Sequence, residues 1–168
     1  MRIDELKVTN FKLFEEEEFS FDSSFNLIIG ENGSGKTSLL RAVATALGGW
    51  AHSYIKDAKN RRPIEESEIR EIQIDNSFDK SKVTSVTAKG TATIIDRYNN
   101  KKSCFARWTR SKSEGYGETL TEGSIQYSGY PQWYNLKFST LGADILKFIE
   151  SGEKFDLPSL WMFGFGGC

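Results

Sequence analysis

Gly30-Glu31-Asn32-Gly33-Ser34-Gly35-Lys36-Thr37 is a glycine-rich octapeptide that ends in Lys-Thr. An apolar run, Phe25-Asn26-Leu27-Ile28-Ile29, leads into it, and a helix-forming run, Ser38 to Leu47, follows. The pattern G-x-x-x-x-G-K-[ST] between a strand and a helix predicts a phosphate-binding loop. The chemistry requires these residue types. A polyphosphate packs several negative charges into a small volume, and a loop can cradle them only with inward backbone N–H groups. Gly30, Gly33 and Gly35 permit the backbone angles and the close approach. A helix starting near Gly35 aims free N–H groups and the positive end of its dipole at the same point. The Lys36 ammonium is expected to reach the β- and γ-phosphates. The Thr37 hydroxyl is expected to ligate Mg²⁺, which prefers hard oxygen donors. The plain alternative is a chance glycine-rich turn; pattern, order and flanks together weigh against it.

At 168 residues the chain suits one domain with its own core and is too short for two ordinary ones. The 22 Lys and Arg nearly balance the 23 Asp and Glu, so no overall basic field advertises nucleic acid. Cys104, Cys168 and the single histidine, His52, fit no metal-ligand spacing and read as ordinary packing or surface residues. The start lacks a signal-peptide pattern and no apolar run is long enough to span a bilayer, so a reducing cytoplasm is the expected setting.

Outward from the loop, two further strands are predicted upstream: Arg2 to Thr9, then Glu15 to Phe21, joined by a short turn at Asn10–Phe14. Phe25–Ile29 is predicted as the third. The helix from about Thr37 is expected to stop at Gly48-Gly49. Trp50 to Pro63 reads as a loop or short helix whose basic residues Lys56, Lys59, Arg61 and Arg62 form either a solvated face or a phosphate contact. Ile69–Ile74, Val83–Ala88, Thr91–Asp96 and Ser103–Arg110 then predict an antiparallel meander, with Gly90 as a break. Ser111 to Thr121 reads as an exposed loop. The aromatic-rich stretch Tyr127 to Phe138 suggests a satellite core or a protein contact, with base stacking as the sharper option. Thr140–Ser151 reads as an amphipathic helix and Leu157–Phe163 as a buried strand. The predicted class is α/β, a P-loop lobe with a mixed sheet, an antiparallel meander and few helices. It is a single partial domain in three stretches: 1–50 (strands, loop, first helix), 51–138 (antiparallel β) and 139–168 (helix and apolar strand).

The phrases K-V-T-N-F-K-L-F (residues 7–14) and F-N-L-I-I-G-E-N-G-S-G-K-T-S-L-L-R-A-V (residues 25–43) resemble the amino-terminal end of the SMC, RecF and RecN class of ATPases. These are ABC-type P-loop ATPases, also grouped as AAA. The likeness is firm over residues 1 to 50 and continues through the antiparallel strands. The ending L-P-S-L-W-M-F-G-F-G is similar to a segment of OLD-like and anti-phage ATPases. The resemblance implies that Gly30, Asn32, Gly33, Ser34, Gly35, Lys36, Thr37 and Ser38 hold ATP and Mg²⁺, with Thr37 on the metal, and that Lys12 lies near the nucleotide. It also implies a glutamine touching Mg²⁺ and the attacking water, for which Gln126 and Gln132 are candidates. A parent role in DNA repair or phage defence, DNA as a partner and a head-to-head homodimer are implied as well.

The sequence departs from that class in its catalytic parts. Ile94-Ile95-Asp96 is followed by Arg97 where an acidic strand end would carry Glu. No L-S-G-G-type signature occurs, and His52 lies too early to be the switch histidine. The catalytic residues are therefore left unassigned. The expectation is a first lobe that stops before the catalytic half. Two other readings stay open: a complete small P-loop kinase, and a non-catalytic interaction module with a relic loop.

Overall fold

The computed structural model describes residues 2–51, 62–75, 77–81, 83–95, 101–113, 117–127 and 136–137. The chain opens with the hairpin β1 (Arg2–Phe11) and β2 (Phe14–Ser20). Helix α1 (Lys36–Ala51) follows, then a 3₁₀ turn at Glu66–Glu68 and a small hairpin, β3 (Glu71–Ile74) and β4 (Ser77–Lys80). A long meander follows: β5 (Val83–Ile95), β6 (Lys101–Ser113), β7 (Leu120–Tyr127) and β8 (Leu136–Lys137).

Among the described residues the main sheet has six strands, in the order β2-β1-β5-β6-β7-β8. Every pairing among the described residues is antiparallel. Strand β5 lies against β1, so the amino-terminal hairpin and the later meander share one sheet. The strand-rich, helix-poor architecture agrees with the expected lobe.

The period-two pattern explains how the sheet finds its core. Leu6 and Val8 of β1, Val86 and Ala88 of β5, and Ala106 and Trp108 of β6 are buried on one face. They meet Leu39, Ala42 and Ala46 of α1, which recur at helical spacing. The opposite face carries polar partners in register: Lys89 with Glu5, and Thr87 with Thr109 at 2.9 Å. Lys7 is paired with Glu16 and Glu18 on the edge strand β2, and these partners raise its pKa. Glu15 to Glu18 are all exposed along that edge, the charged decoration that discourages a further strand from adding there.

Three expectations are revised. Helix α1 does not stop at Gly48-Gly49 but continues to Ala51. Gly49 permits a close approach instead: a Cβ on it would sit 2.8 Å from the indole of Trp108. That indole donates from Nε1 to the Ala46 carbonyl at 2.8 Å, fixing helix to sheet. Gly90 does not break the chain into two strands, since β5 runs through it in continuous register with β6. A side chain there would strike the Arg2 carbonyl of β1. Finally, Ser111–Ser113 and Leu120–Thr121 are strand rather than loop, because the β6–β7 ladder extends to Ser111 opposite Leu120. The expected helix Thr140–Ser151 and strand Leu157–Phe163 lie outside the described residues, as does the aromatic stretch except Tyr127, Leu136 and Lys137.

Because the obstacle at Gly90 is backbone and cannot rotate away, Gly90→Ala is expected to destabilise the chain by about 2 kcal/mol, in the range of core overpacking. A lower urea midpoint with an unchanged slope would register it. An unchanged midpoint would show that β1 and β5 can separate there at no cost.

Candidate functional site

The glycine loop sits where α1 begins. Gly33 and Gly35 have φ of 85° and 94°, the left-handed region that glycine enters without penalty. The Ser34 N–H closes a turn onto the Glu31 carbonyl at 3.2 Å, and the Leu39 N–H starts the helix on the Gly35 carbonyl at 2.8 Å. The first N–H groups of any helix have no acceptor within it. Here the first turn holds no acidic residue that would compete for that positive end.

The two positive-φ glycines differ in surroundings. Gly33 has open space where a side chain would stand, whereas Gly35 is buried against the β1–β2 turn. A Cβ on Gly35 would lie 2.9 Å from the Phe14 ring and 3.2 Å from Leu13. Lys36 bends back over the loop, its Nζ donating to the carbonyls of Gly30 (2.9 Å) and Glu31 (2.6 Å). An ammonium has three hydrogens, so one remains to face an anion. Asn32, Ser34 and Thr37 are exposed around this mouth, and Ser38 is buried beneath it. Gly30 lies next to the Ser34 hydroxyl, 2.6 Å from a Cβ built on it.

The run Phe25–Ile29 does not form the predicted third strand. It pairs with no strand among the described residues. Phe25, Leu27 and Ile29 are 73%, 71% and 80% exposed, while Ile28 packs on the core. The alternation of a strand is present, but among the described residues no neighbouring strand pairs with its backbone and nothing covers its outward side chains. Upstream, Asp22 shapes the entry: the Ser24 hydroxyl and N–H both donate to its carboxylate, which holds it below the usual carboxylate range.

Lys12 stands on the turn that supports Gly35. Lys12 and Asn10 both have φ of 52°, a strained conformation for residues with side chains. Segment 67–70 holds them there. The Lys12 N–H donates to the Glu68 carbonyl at 2.7 Å, and Lys12 Nζ donates to the Ser67 carbonyl at 2.9 Å. The Arg70 N–H donates to the Asn10 carbonyl at 3.0 Å, and its guanidinium donates to the Leu13 carbonyl at 2.7 Å.

The same segment carries a charged cluster that reading the sequence alone missed. Glu68 is fully buried. Its carboxylate accepts both terminal nitrogens of Arg62, one at 3.0 Å, and the Glu65 N–H at 3.1 Å; Arg41 of α1 lies 3.7 Å away. Arg62, read from sequence as solvated or phosphate-facing, is thus an internal ion-pair partner. The signal was present as Glu65-x-x-Glu68, the spacing by which a helical turn caps its own start. Arg110 of β6 is buried behind it, donating to the carbonyls of Thr45 (3.0 Å) and Arg62 (2.8 Å). Burial, and then the neighbouring Arg62 charge, lower its pKa to about 10. Lys112 bonds to Glu66 and to the Ile64 carbonyl at 3.3 Å.

Gln126 lies on β7. His52, Asp96, Gln132, Cys168, Lys56, Lys59 and Arg61 lie outside the described residues. Cys104 is placed on β6 opposite Ala92. Among the described residues no group of three or more His, Cys, Asp or Glu side chains could hold a metal ion, and no helix is long and apolar enough to cross a membrane.

A family model described as an AAA domain matches residues 5–154. The chain belongs to the AAA domain family. Within it, the chain is similar to a DNA double-strand break repair Rad50 ATPase from Pyrococcus abyssi, 53% identical over 47 residues. That alignment covers 28% of this chain and 5% of the relative. A DNA replication and repair protein RecF from Acetivibrio thermocellus is 31% identical over 97 residues, 51% of this chain and 26% of the relative. RecF from Oceanobacillus iheyensis is 44% identical over 43 residues, covering 26% and 12% respectively. The AAA domain chain therefore spans a small part of these relatives. The matches support the SMC/RecF/Rad50-like, ABC-type lobe that the motifs resemble.

Two outcomes follow for this AAA domain. Gly35→Ala combines a left-handed φ with a clash, so a loss of about 3 kcal/mol is expected. Gly33→Ala meets open space and should lose about 1 kcal/mol for its φ alone. Thermal unfolding of both variants tests the difference; equal losses would mean that Gly35 does not depend on the turn beneath it. Bonds from Lys112 and then Lys80 hold the Glu66 carboxyl below its ordinary pKa. Its contribution is therefore present above the usual glutamate range and lost as pH falls through the depressed value. Amide exchange around Ile64 should quicken across that acidic window in the wild type, but show no such step in Glu66→Gln.

Proposed function

We propose that this chain is the ATP-binding lobe of an SMC/RecF-like ATPase. The observation that carries the reading is the exposed loop at Gly33: nothing lies within 4 Å of where a side chain there would stand, α1 starts just after it, and the Lys36 ammonium reaches back over it. In this reading Gly30, Asn32, Gly33, Ser34, Gly35, Lys36 and Ser38 line the seat of the phosphates, and Thr37 supplies a hydroxyl to Mg²⁺. Lys12 stands on the adjoining turn with its ammonium on the Ser67 carbonyl, and would turn from there to reach the phosphate tail. The metal would neutralise phosphate charge, and the chain's own residues would bind and orient the anion.

Hydrolysis in this proposal needs groups beyond those assigned here. The outward row Phe25, Leu27 and Ile29 supports a lobe that is covered by more sheet in the working ATPase. The named relatives act in DNA repair, and we assign the parent the same field, with DNA and a second head as partners and the cytoplasm as its setting. A small kinase is disfavoured because an antiparallel meander, rather than βαβ units, follows α1 among the described residues.

Calorimetry with ATP and Mg²⁺ tests the seat. Binding by the wild type, weakened about a hundredfold by Lys36→Ala, is expected from the loss of charge-assisted hydrogen bonds. No heat with the wild type would favour a relic loop, and phosphoryl transfer to a small acceptor would favour the kinase.

A further inference from the structure

The phosphate loop does not stand on its own residues. Gly35 rests on Leu13 and Phe14, and those belong to a turn with two strained residues, Asn10 and Lys12. Main-chain bonds from Lys12 to Glu68 and from Arg70 to Asn10 hold that turn in place. An isolated bridge between Phe11 and Ile69 adds to them. Segment 67–70 is in turn fixed by the buried carboxylate of Glu68. That carboxylate ties Arg62 on one side and approaches Arg41, one and a half turns into α1, on the other. Glu68 thus meets both walls of the loop: through its carbonyl the turn beneath Gly35, and through its carboxylate the helix whose first residue is Lys36.

We propose that Glu68 is the positioning residue of the phosphate loop, setting the distance between the turn at Leu13–Phe14 and the start of α1. The inference rests on the nucleotide reading above for its effect on affinity, but not for its effect on loop geometry. A buried carboxylate shared between two guanidinium groups is a costly arrangement unless its geometry is well satisfied. Here Glu68 joins its own segment, through Arg62, to α1 by its carboxylate and to the turn at Lys12 by its main-chain carbonyl. The charge matters as well as the shape, because a glutamine in its place could not satisfy both arginines.

The test uses the whole chain and two variants, Glu68→Gln and Arg41→Gln, with Lys89→Gln on the opposite face of the sheet as a control. All are measured below their thermal midpoints. Glu68→Gln is expected to move the Gly35 amide resonance in the nucleotide-free chain and to weaken ATP·Mg²⁺ binding about tenfold. Arg41→Gln, a half-exposed side chain whose loss spares the core, is expected to move the same resonance in the same direction. The double variant should do no more than Glu68→Gln alone, because Arg41 acts through that carboxylate. Lys89→Gln should leave both readouts unchanged. A purely structural role would lower the midpoint without non-additive movement at Gly35. An unmoved Gly35 resonance in folded Glu68→Gln, or strictly additive effects, would overturn the proposal. If the wild type binds no nucleotide yet Gly35 moves as described, positioning stands and the nucleotide reading falls.

Discussion

Leu13 and Phe14 pack so tightly under Gly35 that no larger residue fits there. The glycine loop follows a backbone curve that no run of residues holds unaided, since the left-handed angles at Gly33 and Gly35 are merely allowed to glycine, not enforced. Enforcement comes from outside. Phe14 is braced edge-on by Phe19, with ring centroids 5.4 Å apart, and the turn carrying it is bound to segment 67–70. Strain at Lys12 and Asn10 is thereby stored beside the loop rather than within it, in the manner of sites whose surroundings over-determine their geometry.

Behind this arrangement lies a layer of buried charge unusual for a small lobe. Arg110, Lys112 and Glu68 are all buried, and each bonds to main chain or to an opposite charge. Arg110 remains protonated near neutrality despite its lowered pKa. Its bonds to Thr45 and Arg62 offset part of the cost of desolvation and stitch α1 to the chain before β3. Leucines could fill the same space, but they could not fix the direction of the Thr45 and Arg62 carbonyls. Direction is what a loop built from backbone groups needs from its support.

Much of this could be read from the residues. The strand pattern at Ile3, Leu6 and Val8, the helical spacing of Leu39, Val43 and Leu47, and the glycine spacing are local signals, and local signals survive in sequence. What could not be read depends on distant partners. Gly49 and Gly90 look like punctuation until Trp108 and the Arg2 carbonyl are placed against them. Phe25–Ile29 looks like a core strand because its alternation is real, but pairing is a property of two segments and only one is described here. For Glu68 the Glu65-x-x-Glu68 spacing marks a turn, but no periodicity points to its partners Arg41 and Arg62, 27 and 6 residues away.

The outward row of Phe25, Leu27 and Ile29 has a practical corollary. One margin of the sheet is guarded by four carboxylates on β2, which repel a like margin from another molecule. The segment just after it has no such guard, and its greasy side faces water. Handled alone, the polypeptide should therefore be prone to clumping, with its colloidal behaviour governed by these few side chains rather than by its near-zero net charge.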